Sequence, residues 1–139
     1  METFIAYLFL LGRILYGGFF IKSGLNHFSN NEMLANYAAS KGVPMPKTAV
    51  YLTGVMMFLA GLYIVLGLLV SWGVLFLVVA LSGITFKMHA FWKDNDPQAR
   101  MMNEINFWKN VALIGGALMI LNSVSSLAPH WKFALNWWM

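Results

Sequence analysis

Four apolar stretches, each long enough to cross a lipid bilayer, occupy most of this 139-residue chain. They run from Phe4 to Gly24, from Ala49 to Val70, from Trp72 to Ala90 and from Ile105 to Leu127. A hydrocarbon layer about 30 Å thick is crossed by about 20 residues of helix, at a rise of about 1.5 Å each. The chain is therefore predicted to be an all-α integral membrane four-helix bundle. It forms one membrane domain over residues 1–139, and its prime solvent is lipid.

Composition points the same way. Hydrophobic residues make up 60% of the chain and charged residues 10%, against about 25% charged in an ordinary soluble domain. The net charge of +4 does not imply nucleic acid, because the basic residues are scattered and no basic run or nucleic-acid motif is present. The absence of cysteine excludes disulfides, thiol catalysis and iron–sulfur or thiolate–zinc sites. The start, Met1-Glu2-Thr3, lacks the positive leader of a secretory signal, so the first span is expected to be retained.

Between the first and second spans, Ser29 followed by Glu32 has the spacing of a capping box. Leu34, Tyr37 and Ala38 then alternate with polar neighbours, which predicts a short interfacial helix over Met33 to Ala39. Gly42 ends it, and Pro44 and Pro46 form a stiff turn. The second and third spans meet in an uncharged turn at Leu68 to Trp72. The third and fourth are joined by the polar segment Lys93 to Arg100, where Asp96 or Asn95 is placed to cap a helix opening at Pro97. Trp131, Lys132, Trp137 and Trp138 suit the headgroup layer.

An even number of spans puts both termini on one side. Lys22, Lys41, Lys47, Lys87, Lys93, Arg100 and Lys109 gather near loops one and three, whereas the termini side has Lys132, with Arg13 at depth. The positive-inside rule then puts loops one and three in the cytoplasm and both termini outside a prokaryotic cytoplasmic membrane.

Ionisable groups at membrane depth are costly and mark functional candidates. Arg13 lies about nine residues inside the first span, roughly 14 Å along the helix. No acidic residue occurs in any of the four spans, so its partner is a backbone carbonyl, a ligand, a lipid headgroup or another subunit. Arg13, Tyr16, Gly17, Phe20, Ser23, Gly24 and His27 fall on one stripe at steps of three and four. Gly17 and Gly24 on that stripe are expected to admit a neighbouring helix. Antiparallel topology brings His27, Lys87, His89, Trp92, Glu104, Trp108, Lys109 and Asn110 to the loop-bearing end. They can line a pocket there, or form a belt of aromatic and basic anchors. His27 and His89 sit at helix ends rather than at depth, which is a weak arrangement for haem. Three histidines without local HxxxH spacing predict no metal site.

The run from Gly12 to His27, the segment Met33 to Tyr37, Lys41-Gly42-Val43-Pro44 and the fourth-span element Phe107 to Leu118 resemble the DoxX family, small four-helix bacterial and archaeal membrane proteins. The family includes subunits of a thiosulfate:quinone oxidoreductase and proteins associated with redox or oxidative-stress partners. Arg13, Lys22, Lys109 and Asn110 match the motif, but the resemblance assigns them no catalytic role and leaves open whether the protein is an enzyme.

Four readings follow. The leading one is an accessory membrane subunit of a redox system that binds quinone between the first and fourth spans. Lys109 or His89 would bond a carbonyl there, and Trp108 would lie against the ring. The ligand candidates on this reading are Arg13, Lys22, His27, His89, Trp92, Trp108, Lys109 and Asn110. The alternatives are a sulfur-anion:quinone oxidoreductase, a small transporter, and a structural assembly partner acting with another protein or as a homo-oligomer.

Overall fold

The computed structural model describes residues 1–126, 131, 134 and 135. Its elements are α1 (Glu2–Ser29), α2 (Asn31–Ser40), α3 (Pro46–Leu66), α4 (Val70–Met88), a single 3-10 turn (Phe91–Lys93) and α5 (Pro97–Ser126). Four of the helices are long and apolar enough to cross a membrane. Within the most apolar window of each, only 22–33% of residues are buried in the protein. Leu11, Leu15, Phe19, Leu75, Val79 and Leu118 face outward. Water would penalise so much exposed hydrocarbon, so lipid is the medium that this surface suits.

The helices overrun the apolar runs. The 28 residues of α1 and 30 of α5 extend about 42 and 45 Å, so their polar ends project into the headgroup layers. The α3 helix stops at Leu66, short of Val70, because Gly67 turns left-handed at φ 66°. Leu69 follows at φ 47°, and α4 begins at once. Asp96 caps α5 as expected: its Oδ2 accepts from the Ala99 N–H at 2.8 Å.

The first loop differs in detail. No capping box forms at Ser29, because α1 runs through it and its hydroxyl donates to the Leu25 carbonyl at 3.1 Å. Asn30 alone separates α1 from α2. The α2 helix lies across the loop-bearing end, with Ala35 and Ala38 packed on Val50 of α3.

The most extensive helix contact is α1 against α3. A Cβ placed on Gly17 would stand 2.6 Å from the Gly61 carbonyl oxygen, and one on Gly24 would stand 2.7 Å from that of Gly54. The two pairs are antiparallel and seven residues apart on both helices. Backbone contact at this distance lets dispersion and shape hold two helices together where lipid removes the hydrophobic drive. Further contacts join α3 to α4 and α4 to α5. The Tyr16 hydroxyl reaches the Leu113 carbonyl and closes α5 onto α1. Phe20, Ile64, Leu77 and Ala117 are among the residues of the core this creates.

Trp131 corrects one expectation. It is buried rather than presented to the headgroups: its Nε1 donates to the Ser123 carbonyl at 3.1 Å, and its ring meets Phe9 edge-on at 5.0 Å. The other predicted tail anchors, Lys132, Trp137 and Trp138, lie outside the described residues.

Candidate functional site

A cavity of about 520 Å³ lies at the loop-bearing end, under α2 and between α3 and α4. That volume lies within the about 300–1,000 Å³ of ordinary small-molecule sites. Its apolar wall comes from Leu34, Val50, Leu52, Met56, Val79, Ala80 and Ile84. Its polar groups are His27 from α1, Tyr37 from α2, Thr53 from α3, Lys87 from α4 and His89 just beyond it. Among the described residues, no carboxylate lines it.

The two histidines have defined protonation patterns. His27 Nδ1 is 2.8 Å from the Ser23 carbonyl. A carbonyl only accepts, so Nδ1 carries the proton and Nε2 keeps its lone pair in the neutral ring. His89 Nδ1 is 3.1 Å from Asn103 Oδ1. The same amide donates from Nδ2 to Asp94 Oδ2 at 2.7 Å, which fixes its orientation and places the His89 proton on Nδ1 too. Asp94 Oδ1 pairs with the Lys41 ammonium at 3.2 Å. A polar chain, Lys41–Asp94–Asn103–His89, thus ties the end of α2 and the opening of α5 to one wall of the cavity. The Asn103 amide and the Lys41 ammonium hold the Asp94 carboxyl below the usual carboxylate range, against its partial shielding from water.

Thr53 donates its hydroxyl to the Ala49 carbonyl at 2.8 Å and acts as an acceptor toward the cavity. The exposed Lys87 carries its ammonium near Gly42, where φ of 72° requires a residue without a side chain and keeps the rim low.

Of the residues singled out from sequence, His27, Lys87 and His89 converge on this cavity, and the other ligand candidates do not line it. Arg13 is only 2% exposed and sits near the opposite end of the bundle. Its Nε donates to the Ile64 carbonyl at 3.1 Å and its Nη2 to the Val65 carbonyl at 2.7 Å. Its Cζ also lies 4.8 Å from the centre of the Trp131 ring. The carbonyls are those a helix C-terminus leaves unpaired, so the guanidinium closes the end of α3. Lys22 is exposed on α1. Trp92 and Trp108 are 50% and 58% exposed and flank Phe107 edge-on at 5.7 and 5.3 Å. Lys109 is exposed and donates to Asn106 Oδ1 at 2.7 Å. Asn110 is buried on the inward stripe of α5 with Asn103, Phe107 and Ala117. The aromatic residues and Lys109 form a belt on the α4–α5 side, while the cavity lies on the α3–α4 side beneath α2.

Comparison with known proteins bears on this arrangement. The DoxX family model matches residues 8–90. The chain belongs to the DoxX family. Inner membrane protein YphA of Escherichia coli (strain K12) is 36% identical over 114 residues, covering 81% of this chain and 80% of that one. No solved structure matches significantly. The part of this DoxX protein matched by the family model contains the whole cavity lining from His27 to His89, whereas α5 lies beyond it. Tyr37, Thr53 and the Asp94–Asn103 link were not singled out as site residues from sequence. The amphipathic pattern of α2 was the one signal pointing to Tyr37.

Proposed function

We propose that this DoxX protein is an accessory subunit of a membrane redox system and that it holds a quinone in the cavity beneath α2. The observation that supports this is the shape and polarity of the cavity. It has an apolar body and hydrogen-bonding groups from His27, Tyr37, Thr53, Lys87 and His89. A quinone carries acceptor oxygens on a flat apolar ring. Lys87 and the Tyr37 hydroxyl supply donors, and the imidazoles supply acceptors once the ring is reduced. The lining serves to hold and orient a headgroup rather than to attack it, since the Thr53 proton is already given to a carbonyl.

This site differs from one between α1 and α5, where Trp108 and Lys109 turn outward. A sulfur-anion site or an ion path built on Arg13 gains no support either, because its guanidinium grips the end of α3. The membrane is the inner membrane, as the name of the YphA relative states for that protein, and the α2 face is cytoplasmic by its excess of lysine.

The test is mass spectrometry of the protein extracted in mild detergent with native lipid, together with thermal unfolding in the presence of added quinone. We expect co-purifying quinone and a raised melting temperature, both reduced in His89→Ala. Protein that carries no quinone and whose melting temperature quinone leaves unchanged would sink the proposal.

A further inference from the structure

Gly17, Gly24, Gly54 and Gly61 are explained by close helix contact. Gly83 is not. A Cβ on Gly83 would meet nothing within 4 Å, although the residue is inside α4, where glycine weakens a helix. Gly12, Gly18 and Gly115 share that open surrounding, but of these four only Gly83 lines the cavity. It is exposed, as are the neighbouring wall residues Leu52 of α3 and Val79 of α4. The cavity therefore opens sideways between α3 and α4, as well as near the Lys87 rim. Gly83 is five residues from the end of α4 and Val79 nine, or about 8 and 14 Å down the helix. At that depth the side opening faces hydrocarbon.

We propose that Gly83 is the sill of a lateral portal, through which the cavity takes a single-chain amphiphile directly from the bilayer. The small polar head lies among His27, Tyr37, Lys87 and His89, and the apolar chain leaves past Gly83 between Leu52 and Val79. Among the described residues the lining has no carboxylate and one ammonium, that of Lys87 at its rim, which suits an electron-rich oxygen head. This rests on the quinone reading and deepens it, because it makes the chain as much a part of recognition as the ring.

The test compares wild type with Gly83→Phe, whose ring extends into the opening from a Cβ with free space around it, and with Gly83→Ala. Gly18→Phe serves as a control away from the cavity. Each is reconstituted in nanodiscs and titrated with a benzoquinone bearing a long isoprenoid chain and with the same ring lacking the chain. Melting temperature reports folding. We expect Gly83→Phe to weaken the chain-bearing quinone at least tenfold and the bare ring less than twofold, with Gly83→Ala and Gly18→Phe binding as wild type does. Equal binding of the chain-bearing quinone by wild type and Gly83→Phe overturns the portal and leaves the quinone reading standing. A different single-chain amphiphile that co-purifies with wild type and is lost from Gly83→Phe supports the portal and removes the quinone. No binding of either compound and no retained amphiphile refutes both.

Discussion

At the scale of single residues, Asp94 is the joint of the loop-bearing face. It receives Lys41 on one oxygen and Asn103 on the other. Because its folded-state pKa is lowered, its contribution to stability is present above the unfolded value of about 3.9 and is lost as pH falls through the folded value. The wild type is therefore expected to melt at a higher temperature than Asp94→Asn at pH 7, with the gap closing in acid. Melting curves in detergent from pH 7 down to pH 2 check this, and a gap that stays constant over that range contradicts it. Arg13 shows the opposite outcome for a charged residue. Its depth in an apolar run marked it as a site candidate, and the structure gives it backbone partners at 2.7 and 3.1 Å. Sequence could name carbonyls as one class of partner. It could not say that the helix end supplying them lay 51 residues on.

Among the elements, the spans were legible because an apolar run of bilayer length has few other uses. Their ends were less so, since α5 begins in the polar segment at Pro97, where the Asp96 cap rather than hydropathy sets the start. Which face of each span turns inward was the hardest part. A helix that is apolar all round has no polar side to orient it, so Trp108 and Lys109 could be placed at the correct end of α5 but not on the correct side. His27 and His89 were easier, because each closes a helix at the face where the loops meet. The glycine register of α1 on α3 gives a direct test at this scale. Gly17→Ala puts a methyl against the Gly61 backbone, an overpacking that costs about 1–3 kcal/mol. Gly18→Ala, one residue along, meets nothing and is expected to be neutral or to stabilise by up to about 1 kcal/mol. Thermal or denaturant unfolding of the two variants in one detergent separates them, and equal destabilisation would refute the register.

For the molecule as a whole, the packing order places α2, the loop ahead of α5 and the cavity mouth on one face, and Arg13 with Trp131 toward the other. The proposed orientation turns the first of these to the cytoplasm. The chain has no cysteine, so single cysteines can be introduced without background. Asn36→Cys on the exposed side of α2 is expected to resist a membrane-impermeant maleimide in intact cells and to react after the membrane is opened. Thr3→Cys near the start of α1 is expected to react in both. The reverse pattern would invert the topology and place the cavity mouth on the outer side.

The grip of Arg13 on α3 also has a consequence for biogenesis. Its carbonyl partners are made 51 and 52 residues later. At about 5–20 residues per second, that delay is roughly 3–10 s. During it, the guanidinium of the first span lacks these two acceptors, and an arginine costs up to about 2.5–3.5 kcal/mol to insert. The nascent α1 is thus expected to be a better anchor once α3 has followed it. The first span alone is therefore expected to insert less completely than the first and second together, and glycosylation-tag insertion assays on the two truncations check this.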